Sequence, residues 1–241
     1  MNETFKIETT SFFLHVLAMG AMLCDHLWAT IVQGNDWLTC VGRLAFPIFA
    51  FLLVEGYCHT KNLRKYAVRL FLFALLSEIP FNLVAGGGVL YPYHQNVLWT
   101  FLFSLGLIHW NEKTRNKQLW LRILVGCGSV AAGYLAGLLT MVDYLHAGIL
   151  TVLVFYFFRQ RKWWCYLGQV LCLWYIHAEM LGGFGWELGS FFLPRQALAL
   201  LALIPIWLYR GKQGHHSRAF QYVCYVFYPL HLLILGLATV L

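Results

Sequence analysis

Charge is what this sequence has least of. Only 11% of its 241 residues are Asp, Glu, Lys or Arg, while 60% are hydrophobic, and a soluble globular domain carries about 25% charge. A water-facing surface cannot be assembled from that composition. There is no glycine-rich phosphate loop, no HExxH pair and no GxSxG turn, which removes P-loop NTPases, zincin-type proteases and α/β-hydrolases. The glycine run Gly86, Gly87 and Gly88 stands too far from a basic helix start to cradle phosphate. Seven cysteines (24, 40, 58, 127, 165, 172 and 224) form no CxxC and sit inside or at the ends of apolar stretches. Cys in that setting packs as a small hydrophobe, so neither a disulfide framework nor a metal centre is expected. No internal repeat is evident. The first apolar stretch lacks a basic leader and a small-residue cleavage site, and carries Asp25 and His26 near its far end, so it is expected to stay in the mature protein.

What the chain does have is long apolar stretches, at about 9–33, 37–58, 66–85, 93–110, 120–140, 145–158, 163–178, 195–209 and 219–241. A spanning helix needs about 20 mostly apolar residues. Continuous rather than alternating hydrophobicity disfavours a β-barrel, and a spanning backbone must satisfy its own hydrogen bonds. The expectation is an all-α integral membrane protein, a bundle of about nine transmembrane helices in one domain over 1–241, with no soluble domain. The sixth and seventh stretches are short, as tilted or re-entrant segments would be.

Lys and Arg gather in alternate connections: Lys61, Arg64 and Lys65; Lys113, Arg115 and Lys117; Arg159, Arg161 and Lys162; Arg210, Lys212 and Arg218. By the positive-inside rule these face the cytoplasm, with the N-terminus inside and, for nine spans, the C-terminus outside a cell membrane. Asp36, Asp143, Glu179 and Glu187 fall at the other end. The net charge of +7 therefore reports topology, and no nucleic-acid partner is expected.

Ionisable and amide groups inside the spans are the informative residues, because each is costly in lipid unless it meets a partner or water. Asp25 and His26 lie about 21 to 26 Å along a helix that starts inside, and Arg43 about 9 Å along one that starts outside, so all three share the outer half. Glu78 and Asn82 occupy one face of the third span at the same depth; Asn96 starts the fourth, and Asp143 precedes the sixth. These residues are expected to form one polar cluster open to the outer side. Adjacent helical residues diverge by about 100°, so Asp25 is expected to pair with Arg43, leaving His26 for another partner. A lower set comprises Glu55 and His59 at the inner end of the second span, and Tyr228 and His231 around Pro229 in the last. Pro47 and Pro80 deprive the carbonyls of Arg43 and Leu76 of their helical partners and permit kinks. The plain structural alternative is that Asp25, Arg43 and Glu78 fix helix packing and that His26 is a satisfied neutral histidine.

The pieces MLCDHLW, GRLAFPIFAFLLVEGYCHTKNLRKYAVRLFLFALLSEIPFN, QNVLWTF, DYLHAGIL and FYPLHLLIL, in that order, resemble the TraX family. The resemblance covers most of the chain and is carried by the ordered set. It implies a polytopic inner-membrane protein associated with N-terminal acetylation of conjugative pilin, similar to membrane acyltransferases that use cytoplasmic acyl-CoA. The family's motif falls on Asp25, His26, Arg43, Pro47, Glu55, His59, Arg69, Glu78, Asn82, Asn96, Asp143, Tyr228 and His231. Nothing in the chain names a pilin as its acceptor.

On that resemblance, acetyl-CoA is the expected acyl donor, with Arg64 and Arg69 meeting its phosphates and its pantetheine arm rising into the bundle. Its acyl group would pass to an amine or hydroxyl of a peptide or other acceptor at the outer side, His26 acting as general base and Arg43 or Asn96 steadying the oxyanion. Passage through His231 as an acyl carrier stays open. The competing class is a proton-coupled transporter or channel that uses the same buried ionisable residues, and an accessory subunit without chemistry is the third. The orientation is testable directly: cysteine-accessibility labelling of intact cells reaches 86–92 and 180–193 from outside and leaves 111–118 protected, and outside labelling of 111–118 reverses the topology.

Overall fold

In a computed structural model, residues 8–215 and 217–240 are described. Residues 1–7, whose side of the membrane the charge pattern assigns, lie outside them, as do residue 241 of the ninth stretch and the side chain of Arg218. The order is α1 (Ser11–Thr30), α2 (Asp36–Gly42), α3 (Ala45–His59), α4 (Leu63–Gly86), α5 (Val97–Lys113), α6 (Leu119–Thr140), α7 (Leu145–Phe157), α8 (Trp163–Trp174) running into a π-helical turn (Tyr175–Leu181), a hairpin of β1 (Gly185–Leu188) and β2 (Phe191–Pro194), a 3₁₀ segment (Arg195–Ala202), α9 (Leu203–Leu208) and α10 (Arg218–Val240).

Among the described residues all nine apolar stretches are helical, and five are long and apolar enough to cross a membrane: Ser11–Thr30, Asp36–His59, Leu63–Gly86, Leu119–Thr140 and Ala219–Thr239. The molecule is an α-helical membrane protein. Three features depart from nine plain helices. The second stretch breaks at Arg43–Leu44, where Pro47 offers no N–H to the Arg43 carbonyl; α4 and α10, by contrast, run on past Pro80 and Pro229. The seventh ends in π geometry and the eighth begins in 3₁₀ geometry. Between them lies the unexpected hairpin, with Gly185 opposite Pro194 and a turn at Gly189, φ +66°. Gly-Ser between two short aromatic runs is a hairpin signal, masked here by the apolar stretches on either side.

Packing decides which helices are central. Of the α2–α3 stretch 61% is buried, against 22% of α1 and of α6, so α3 lies inside and α6 on the perimeter. Buried Ile48 and Val54 of α3 meet Ile149, Val152 and Phe155 of α7 in one core. Lipid is as apolar as the core, so helices associate through close backbone approach at small residues. Gly133 and Gly137 let α6 and α7 touch: a Cβ at 137 would lie 2.4 Å from the His146 backbone. Gly42 does the same for α1 and α2, where a Cβ would lie 2.4 Å from Asp25 Cβ.

The two ends are chemically distinct. At one, Ser11 N–H donates to Lys212 O (2.9 Å), Phe12 N–H to Gln213 O (3.0 Å), and the Arg161 guanidinium to Tyr209 O, gathering the start of α1 with basic connections. At the other, Asp143 N–H donates to Gln95 O (2.8 Å), and Arg195, a basic residue at this end, is neutralised by Asp36 at 2.5 Å. Gly42→Ala should lower the thermal stability by about 1–3 kcal/mol through overpacking, whereas Gly20→Ala, whose Cβ meets nothing within 4 Å, should leave it unchanged or raise it. Equal shifts in thermal unfolding of the two variants would contradict the α1–α2 contact.

Candidate functional site

Asp25 and His26 follow one another on α1 and so reach different neighbours. Asp25 turns to α2, where the Arg43 guanidinium binds it through Nη2 and Thr39 Oγ1 donates to it at 2.7 Å. Arg43 sits at the helix break. Its Nε donates to Thr39 O (3.2 Å), Nη2 also to Thr39 Oγ1 (2.7 Å), and Nη1 to Gln196 Oε1 (2.8 Å). Beyond it, Gln196 Nε2 donates to His177 Nδ1 (3.0 Å), so the other nitrogen of a neutral His177 carries the hydrogen and donates to Thr151 Oγ1 at 3.2 Å. Gln196, His177 and Thr151 are buried. A polar chain thus joins α1, α2, the 3₁₀ segment, the π turn and α7.

His26 turns to α10. Its Nδ1 lies 2.6 Å from His231 Nε2, and His231 Nδ1 lies 2.6 Å from Phe227 O. The rings are within 14° of coplanar with centroids 4.9 Å apart, as for two imidazoles joined edge to edge by N–H···N. A carbonyl only accepts, so His231 Nδ1 carries the hydrogen. Neutral His231 then accepts at Nε2, His26 donates from Nδ1, and His26 Nε2 is left with a lone pair. No hydrogen bond to His26 Nε2 exists among the described residues. Arg43 and Asp143 both stand within electrostatic reach of this ring.

Glu78 forms the second network. Asn96, the N-cap of α5, accepts from Leu98 N–H (3.1 Å) and donates from Nδ2 to Ala74 O (2.9 Å) and to Glu78 Oε1; Trp99 Nε1 donates to the same oxygen at 2.6 Å. Asp143 Oδ1 is 3.3 Å from His94 Nε2 and accepts from Tyr144 N–H at 3.1 Å. Tyr144, in left-handed backbone at φ 60°, stacks on Phe46 at 4.2 Å.

Below the histidine pair lies a cavity of about 420 Å³ between α1, α3, α4, α5 and α10. Met22, one helical turn before His26, and Tyr228, one turn before His231, line it, as do Val97 and Leu98. At its other extremity it is lined by Glu55, His59, Arg69 and Gln213, next to the basic connections. Such a volume is ordinary for a small-molecule or cofactor site.

Residues 11–239 match the family model described as TraX protein. The chain belongs to the TraX family. It is similar to "Probable fimbrial assembly protein FimC, serogroup H1" of Dichelobacter nodosus, 27% identical over 257 residues that cover 95% of this chain and 96% of that protein. No solved structure matches it.

The residues expected from their depth to form one outer cluster divide their hydrogen bonds among separate networks. Asp25 with Arg43, and His26 with His231, are the two faces of one turn of α1. Glu78 belongs with Asn96, whose Nδ2 is already engaged twice, so Asn96 holds Glu78 and has no amide hydrogen left for an oxyanion. Asn82 stands apart from Glu78: its Nδ2 donates to Val89 O at 3.1 Å, tying down the 86–92 connection. Glu55, His59 and Arg69 line the cavity's basic end, with Arg69 over the Tyr225 ring at 5.5 Å; Arg64 is exposed and does not line it. Thr39, Gln196, His177, Thr151, Trp99 and His94 were missed. His177 was within reach of sequence reasoning, since a histidine inside an apolar span needs a partner; Gln196 and Thr39 are ordinary residues until the fold brings them to Arg43.

If Asp25 and Arg43 depend on each other, Asp25→Asn and Arg43→Gln should each cost about 3 to 5 kcal/mol by stranding a buried charge, and the double variant should be less damaged than the sum. A thermal-stability cycle reads the coupling, and strict additivity would mean that they are not partners.

Proposed function

We propose that this TraX-family chain is a membrane-embedded acyltransferase that moves an acetyl group from acetyl-CoA to an amine or hydroxyl, with His26 as general base. One observation carries the reading: an oriented histidine pair that leaves His26 Nε2 with a free lone pair, one helical turn above a cavity reaching the basic end. With the basic connections on the cytoplasmic side, as the positive-inside rule argues for nine spans, the donor enters from the cytoplasm and the acceptor from outside. The nucleotide meets Arg69 and its neighbours at the mouth, and the pantetheine arm rises past Phe49 and Leu98 towards His26.

The chemistry then follows from the side chains. His26 Nε2 takes a proton as the acceptor nitrogen or oxygen attacks the thioester carbonyl. Arg43, through the N–H of Nη1 that its four hydrogen bonds leave over, is the cation available to the tetrahedral oxyanion. As the C–S bond breaks, the CoA thiolate leaves with the proton held by His26. His231 sets the tautomer of His26 in this scheme and is not acylated, because its Nε2 is occupied. The printed name of the Dichelobacter nodosus relative concerns fimbrial assembly, which makes a pilus-subunit peptide amine the first acceptor to try.

His26, with Asp143 and Arg43 within electrostatic reach of its ring, also suits a proton-coupled transporter, and one preparation separates the two. Purified protein given labelled acetyl-CoA should bind it saturably and release CoA slowly; substrate flux in liposomes without acyl chemistry sinks the acyltransferase reading. His26→Ala should stay folded and bind CoA while transfer falls about 100-fold to 10,000-fold, the usual worth of a positioned base. His231→Ala should lose less. Transfer at the normal rate in His26→Ala makes that histidine structural.

A further inference from the structure

A second concavity lies apart from the one below the histidines. It is a groove of about 890 Å³ along the perimeter helix α6, walled by the end of α5 and the end of α7, and none of the residues lining the histidine cavity comes from α6. Along α6 it is lined at helical spacing by Ile123, Gly126, Val130, Ala131 and Leu135. Gly126 makes the floor: a Cβ there would approach only Phe157 and Asn111, at 3.8 to 4.0 Å. From Arg122 to Leu135 the groove runs about 20 Å, against about 15 Å for half a bilayer core.

Its polarity is one-sided. Arg122 and Arg115 line the end that carries the 113–117 basic connection, and beyond them the lining is apolar or small apart from Tyr134, Tyr156, whose hydroxyl donates to Glu112, and Asn111, whose amide donates to Leu107 O and Ser129 Oγ. The Arg122 side chain is exposed and makes no hydrogen bond or ion pair among the described residues, and the Arg115 side chain reaches only Glu112, at 3.5 Å. The first turn of α6 opens at the same place with no acidic residue and no side-chain cap, which leaves free N–H groups favouring an anion. Cations at one end of a long apolar slot match the head and tail of one ligand chemistry. A partner helix offers no such division.

We infer that the α5–α6–α7 groove is a binding site for one anionic phospholipid, its phosphate at Arg115 and Arg122 and an acyl chain over Gly126. The test uses the full chain, stripped of lipid in detergent and titrated with phosphatidylglycerol or phosphatidylcholine under native mass spectrometry. One lipid should be retained saturably, with phosphatidylglycerol preferred by about 10-fold to 30-fold, the worth of two Arg side chains beside an anionic head group. Arg115→Gln with Arg122→Gln should erase that preference. Gly126→Leu should lower retention of both lipids; if its circular dichroism shows a lost fold, Ala131→Leu fills the same slot. Equal retention of the two lipids by the native chain overturns the assignment, as does displacement by inorganic phosphate alone or undiminished retention in a folded slot-filling variant. So does a polypeptide, rather than lipid, held in stoichiometric amount at the exposed Cys127 of the groove wall.

Discussion

A guanidinium held inside an apolar bundle constrains everything around it. Arg43 cannot sit in the bundle without partners, and they come from three segments: Thr39 one turn back on α2, Asp25 of α1 and, far along the chain, Gln196 of the 3₁₀ segment. Satisfying it fixes where α1 crosses α2, and the crossing needs Gly42, because no side chain fits against Asp25 there. It also ties the irregular 175–202 region to the bundle, since Gln196 in turn satisfies buried His177. Irregular backbone in a membrane protein is tolerated where protein covers it, and this region is covered through Arg43.

Once α1 is locked on its Asp25 face, the rotation of the helix is set, and His26 can only turn towards α10. The histidine pair is thus a consequence of the ion pair. Each imidazole is oriented by the next, back to a main-chain carbonyl, so the order costs no charge in the bundle. Glu78, with two side-chain donors on one oxygen, is independent of this; it steadies the α4–α5 corner.

Much of this was legible from composition and position alone. Membrane class and helical stretches followed from scarce charge and long apolar runs, because a bilayer imposes one solvent on the whole surface. The pairing of Asp25 with Arg43 followed from shared depth, and a kink near Arg43 from Pro47, although the same reasoning at Pro80 meets a helix that runs on. The expectation of one polar cluster failed at Asn82 because a shared helix face does not decide which neighbour each side chain reaches. Glu78 and Asn82 share a helix face, yet a turn of rise was enough to give one to α5 and the other to the 86–92 connection. The β1–β2 hairpin was missed because its turn signal lies in the connection between two apolar stretches, which reads only as a link.

What the sequence determined by itself, then, is the solvent, the helices, the inventory of polar groups and their approximate heights. Those are one-dimensional properties, set residue by residue. Only the tertiary structure decided that His26 meets His231, that Gln196 and Thr39 belong to Arg43, and that a cavity runs from the basic end to within a helical turn of the histidine pair. Lipid-facing and core-facing sides of these helices are equally apolar, so no periodicity in the chain records how each helix is turned, and the rotation is chosen by the few polar contacts and glycines where helices touch.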